Sequence, residues 1–173
     1  ECGIGHTHRQ TVGDNLQRLT EALRLALSRA DIVVTIGGLG PTEDDLTREC
    51  AARALGVSLI REASYVEWLK ERFKKFNRAM PAVNEKQADR LDGGRLLTNA
   101  KGTAPGQIFE RDGKTLVLLP GPPREMLPLF ETEVLPIVEA RSSGERIVMR
   151  IIRIAGMGES DVEQLVAPIY RAF

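Results

Sequence analysis

The stretch TIGGLGPTEDDLT, residues 35–47, sets Gly37, Gly38 and Gly40 just ahead of Glu43, Asp44 and Asp45. Glycines let backbone N–H groups approach a ligand with no Cβ in the way, and a helix N-terminus behind them favours an anion such as phosphate. Carboxylates beside a bound phosphate repel it unless a cation or a proton intervenes. Mg²⁺ is the usual mediator, with carboxylate and phosphate oxygens sharing one octahedral shell. The pattern therefore points to a metal-assisted nucleotide site. It is not a Walker loop, because no Lys-Ser/Thr pair follows the glycines. A structural reading competes at each acid. Thr42 and Asp45 have capping-box spacing, and Glu43 and Asp44 could simply complement a helix dipole.

Asp14, in TVGDN, precedes a helix at a junction of the kind that carries ligands in α/β sheets, with plain N-capping as its structural alternative. Two further loops, KGTAPG (101–106) and PGPPREM (120–126), combine glycine and proline and also follow candidate strands. Three such loops gathered at one sheet edge would form a pocket. His6 and His8 alternate onto one face, but no third metal ligand accompanies them. KERFKK (70–75) reads as a solvated basic helical face, and AGMGES falls one residue short of a GxxG nucleic-acid clamp.

These residues need elements to position them. Residues 4–12 suit a short strand, and Leu16, Leu19, Leu23, Ala26 and Leu27 give a helix capped by Asp14 or Asn15. DIVVTI (31–36) reads as a strand covered on both faces, and the helix after the acids stops at Gly56. Ser64 and Glu67 form a capping box ahead of a helix that aligns Tyr65, Trp68, Leu69, Phe73 and Phe76. A short helix follows Pro81, then the strand RLLTN. QIFER and KTLVLLP flank Asp112-Gly113 as a β-hairpin. After PGPPREM a helix runs to about Arg141, and SSGE reads as a linker. RIVMRIIRI alternates like a strand, and Val162, Leu165, Val166 and Ile169 give a last helix capped by Ser160 and Glu163. Strand, glycine turn and helix in succession describe a doubly wound α/β sheet.

Composition narrows the class. The 173 residues, 42% hydrophobic, suit one domain with a small appendage. Lys plus Arg equals Asp plus Glu at 24 each, so a broad nucleic-acid or anionic-membrane surface is not expected. Cys2 and Cys50, without CxxC spacing, argue against a disulfide framework and for a cytoplasmic setting. No stretch is apolar for the length of a membrane span. The chain opens on Glu1 and offers one candidate strand before residue 31, which suggests a fragment with a further strand and helix upstream.

TIGGLGPTEDDLT, MPAVNEKQA, KGTAPG and LLPGPPREM, in this order, closely resemble the N-terminal domain of the competence/damage-inducible protein A (CinA) family, within the wider molybdopterin-binding superfamily. The resemblance implies a three-layer α/β/α domain over residues 1–141, with a mostly parallel sheet plus the hairpin. It also implies the start of a KH-like subdomain over 145–173. CinA-like domains imply metal-dependent ADP-ribose pyrophosphatase activity. On that reading Gly37, Gly38, Gly40, Thr42, Asn84, Gln87, Gly102, Thr103, Gly121, Pro122 and Pro123 bind a nucleotide substrate. Asp14 and Asp45 match the catalytic aspartates of the molybdopterin relatives, and with Asp44 they would hold Mg²⁺ or a similar divalent ion. Two alternatives stand beside this one: molybdopterin binding or adenylylation, and a non-catalytic nucleotide-binding module linked to competence or DNA damage. Relatives that bind molybdopterin usually carry a threonine where Leu39 stands, which counts against a pterin. A homo-oligomer is compatible with the resemblance.

Overall fold

The structure, a computed structural model, describes residues 4–142 and 148–172. Its centre is a four-stranded sheet in the order β1 (Ile32–Ile36), β6 (Lys114–Leu119), β5 (Gly106–Arg111), β4 (Arg95–Leu97). β1 lies parallel to β6, whereas β6–β5 and β5–β4 are antiparallel. The β5–β6 hairpin turns at Asp112 and Gly113, whose φ values of 51° and 77° are those of a type I′ turn.

Side-chain alternation along β6 builds two cores. Leu116 and Leu118 join Val33, Phe109 and the helices α1 (Leu16–Arg29) and α2 (Thr47–Leu55), through Leu23, Cys50 and Ala51. Val117 and Leu119 face the other way, onto Leu129 and Val134. That second layer runs from α4 (Pro123–Leu129) through a π-helical turn to α5 (Leu135–Ala140). The result is the expected α/β/α sandwich. Beside it, β2 (Leu59–Arg61) and β3 (Asp89–Leu91) pair antiparallel, and α3 (Ala63–Lys75) packs Tyr65 and Leu69 on Ala88 of the 3₁₀ helix Ala82–Ala88.

Several expectations change. β1 is covered on one face only: Val34 and Ile36 are exposed, because no residue of β1 joins the second core. Residues 4–12 form no strand. Asn15 caps α1, its Oδ1 accepting from Arg18 N at 3.0 Å. α3 begins after Glu62, and the Ser64 hydroxyl bonds the Glu62 carboxylate, so the Ser64–Glu67 box does not form. The Ser160–Glu163 box is likewise absent, with Gly158 at the N-cap of α6 (Glu159–Tyr170). Residues 148–154 are irregular, with Val148, Ile151 and Ile152 exposed; an alternating strand needs a neighbour and a core face, and the described residues offer neither. Over the range 145–173 expected to be KH-like, the described residues are an irregular stretch followed by α6, and most of the SSGE linker lies outside the described residues. No helix among the described residues is long and apolar enough to cross a membrane.

Candidate functional site

Topology gathers the three loops. Because β1 and β6 are parallel neighbours, Ile36 ends opposite Leu119, and Gly37 N donates to Leu119 O at 2.9 Å. The loops that begin at Gly37 and Pro120 thus leave the same sheet edge, where α/β folds hold their ligands. Two antiparallel steps from β6 give β4 the direction of β6 again, so the loop after β4 emerges there too. Between them lies a cleft of about 470 Å³.

Of the residues singled out in the sequence, Gly37, Gly38, Gly40, Asp45, Gln87, Gly102, Thr103, Gly121 and Pro122 line this cleft. Asp14, Thr42, Asp44, Asn84 and Pro123 do not. Asp14 is exposed just before α1, and Asp44 is exposed in a turn. Pro123 is the first residue of α4. Asn84 is buried behind the cleft, its Nδ2 donating to Gln87 Oε1 at 3.0 Å, while Gln87 Nε2 donates to Thr103 Oγ1 at 3.3 Å.

The glycine loop is held from behind by Arg48, which is fully buried. Its Nη1 donates to Leu39 O at 2.7 Å and its Nη2 to Gly40 O at 2.8 Å. Burial lowers the guanidinium pKa, opposed by the nearby charges of Glu49, Asp89 and Asp45. Thr47, at the start of α2, adds an Oγ1 bond to Gly37 O at 2.8 Å. Gly38 has φ +67°, and a Cβ there would collide with the Thr47 hydroxyl, so this position requires glycine.

Asp45 closes a turn; it caps no helix. Its Oδ2 accepts from Thr42 N at 2.9 Å and from Thr42 Oγ1 at 2.5 Å, and α2 begins two residues later. Burial pushes the carboxyl pKa up, but the Thr42 hydroxyl, the Thr42 and Gly40 amides and the Lys86 charge outweigh it and hold it below the ordinary value. Lys86 Nζ also bonds Thr42 O. The divalent-metal set expected of Asp14, Asp44 and Asp45 does not assemble, since only Asp45 reaches the cleft. Among the described residues no three His, Cys, Asp or Glu side chains gather to hold an ion. The residues present do not make a protein-built metal centre.

Sequence reading missed the charges that dominate the cleft: Arg72, Lys101 and Arg124 line it, with Glu125 beside them. Arg72 lies on the helix face read as mere solvation, and the other three were inside motifs noted only for glycine and proline. Asn99 was missed as well. It is 1% exposed; its Oδ1 accepts from Lys101 N and Gly102 N, both at 2.9 Å, and its Nδ2 donates to Ala104 O and Glu125 Oε2. A Cβ on Gly102 would strike the Glu125 carboxylate. Tyr65, its phenol pKa raised by burial, donates to Thr103 O at 3.4 Å. Leu39 borders the cleft but is 1% exposed and sits in the first core. Its side chain is buried in that core, so the case against a pterin, built on the lack of a threonine hydroxyl at this position, loses its support.

The family model described as "Probable molybdopterin binding domain" matches residues 1–140. A "CinA-like protein" of Solibacter usitatus is 42% identical over 174 residues, covering 100% of this chain and 42% of that protein. Another, of Dictyoglomus thermophilum, is 45% identical over 171 residues, covering 99% and 41%. The chain thus spans about two fifths of these curated relatives. The crystal structure of CinA from Thermoplasma acidophilum, described as a protein of unknown function, matches with a TM-score of 0.65 at 35% identity. It covers 72% of this chain and 73% of that one.

Two outcomes test this geometry. Arg48→Met leaves the Leu39 and Gly40 carbonyls without their charged donor and is expected to cost about 1.5–3 kcal/mol in urea denaturation. The lowered Asp45 pKa means that its carboxylate lends full stability above the unfolded value of 3.8, lost as pH falls through the lower folded value. Asp45→Asn should therefore melt below wild type at neutral pH, with the gap closing in acid; a gap constant down to pH about 2 would contradict the assignment.

Proposed function

We propose that this chain, which belongs to the CinA family of molybdopterin-binding domains, binds a phosphorylated heterocyclic ligand of the molybdopterin class in the three-loop cleft. One observation carries the reading. Arg72, Lys101 and Arg124 line the same cleft as the backbones of Gly38 and Gly121. Guanidinium and ammonium groups beside exposed amides suit a phosphate ester, and Arg adds planar, bidentate recognition. Gln87 and Thr103 supply neutral polar groups for the rest of the ligand. The loops are already braced by buried side chains, so little ordering is required on binding.

A second reading, hydrolysis of a nucleoside diphosphate sugar such as ADP-ribose, is favoured by a specific placement. The carboxylates of Asp45 and Glu125 line the cleft with the cations, where acceptors could orient a water beside a phosphate.

Titration with a molybdopterin-class pterin phosphate, followed by pterin fluorescence, should give saturable binding that Arg124→Ala weakens. Wild type without saturation would refute the first reading. Incubation with ADP-ribose, with and without added Mg²⁺, tests the second through AMP release. AMP that disappears in Glu125→Gln would support it; no AMP in either condition would leave the chain a binding domain.

A further inference from the structure

Gln87 lines the cleft, but the 3₁₀ helix that carries it, Ala82–Ala88, does more than present one amide. Such a helix has three residues per turn, so consecutive side chains leave it about 120° apart. Glu85, Lys86 and Gln87 therefore project in three directions, and each meets a different element. Glu85 Oε2 accepts from Arg61 Nη1 of β2 at 2.9 Å. Lys86 Nζ donates to Thr42 O and reaches Asp45 O at 3.4 Å, in the turn ahead of α2. Gln87 Nε2 donates to Thr103 Oγ1 at 3.3 Å, in the loop after β4.

Seven residues is long for 3₁₀ geometry, whose hydrogen bonds are poorer than those of an α-helix. This one is held from outside on both sides of Lys86. Arg61 bonds Glu85 before it and, after it, the carboxylate of the C-cap residue Asp89. Asn84, three residues back from Gln87 and so on the same side of the helix, donates to its Oε1 at 3.0 Å and fixes that amide. A braced element thus stands between two loops of the cleft and bonds both. Lys86 does not line the cleft, but what it holds does: Asp45, and Gly40, whose amide supports the Asp45 carboxylate.

We propose that Lys86 is a positioning residue for the cleft. It sets the Thr42–Asp45 turn, and with it Gly40 and the Asp45 carboxylate, at a fixed separation from the Thr103 loop, so that both walls engage one ligand. An ammonium suits this task, because it offers three donors to carbonyl oxygens without the planar constraint of a guanidinium. The effect on binding rests on the phosphate reading of the cleft; the effect on the turn does not.

Two measurements on the whole chain test this, one without ligand and one with it. In amide hydrogen exchange, Lys86→Met should speed exchange several-fold at Thr42 and Asp45, whose amides close the turn, and leave Leu116–Leu119 of β6 at the wild-type rate. In the pterin phosphate titration the same variant should bind about tenfold more weakly, and Lys86→Arg should recover most of the loss. Weaker binding with wild-type exchange at Thr42 and Asp45 would make Lys86 a ligand contact and overturn the positioning role. Exchange that quickens in β6 as well would mark a loss of global stability and overturn it too, as would binding by Lys86→Met equal to wild type. If wild type itself does not bind the pterin phosphate, the phosphate reading falls, and exchange at Thr42 and Asp45 decides alone whether Lys86 holds the turn.

Discussion

The parallel pairing of β1 with β6 is the constraint on which the cleft depends. Ile36 opposite Leu119, with Gly37 N bonded to Leu119 O, brings two glycine loops off the sheet side by side; a Cβ built on Gly121 lies 3.5 Å from Gly37 Cα. A one-residue slip would exchange faces along the strand. β6 cannot slip, because Leu116 and Leu118 are committed to one core and Val117 and Leu119 to the other, all essentially inaccessible to solvent. The hydrophobic cores thus set the geometry of a polar site that they meet only at Leu39 and Ala104.

Loops lack the repeating hydrogen bonds of strands and helices, and here buried polar side chains supply them. Arg48 holds the first loop by its carbonyls, and Asn99 holds the second with three hydrogen bonds and ties it to Glu125 of α4 with a fourth. Gln107, wholly buried on β5, accepts from Leu91 N and donates to Asp89 O, tying the small sheet to the large one. Asn84, Gln87 and Thr103 link the 3₁₀ helix to the second loop. In a low-dielectric interior such networks are rigid and each member is costly to lose, although Arg48 Nε is a buried donor without a partner among the described residues. The frame behind the cleft is therefore as specific as its lining.

The hairpin was legible because Asp112-Gly113 between alternating strands admits one turn geometry, and α2 was legible to its end because Gly56 supplies the left-handed stop at φ 68°. The three loops were legible by composition. What composition cannot encode is which way a loop residue points. Leu39 has the chemistry of a ligand contact only if it faces outward, and it faces the core. Asp45 is a cap, a turn or a metal ligand according to where α2 begins, and that is set two residues further on by Thr47. Arg72 was hidden within a basic helical run whose neighbours Lys70 and Lys74 do make ordinary surface pairs with Glu67 and Glu71. The strand expected of RIVMRIIRI (146–154) does not form over its described part, 148–154, for a different reason: alternation records a face to be buried, and the described residues do not contain what would bury it.

The acids beside the glycines posed the original electrostatic problem, since a phosphate placed next to carboxylates calls for a bridging cation. That premise assumes carboxylates with nothing else to bond. In the folded chain both cleft carboxylates are engaged before any ligand arrives. Asp45 is held by the amide and hydroxyl of Thr42 within the field of Lys86, and Glu125 is held by the Asn99 amide with Arg124 Nε 3.9 Å away. Lys86 lies near Asp45 and Arg124 near Glu125, and Arg72 and Lys101 add two further cations to the cleft lining. The repulsion these acids would exert on an anion is weakened by their own donors and by the cations around them. The acids beside the glycines therefore do not by themselves call for a metal ion.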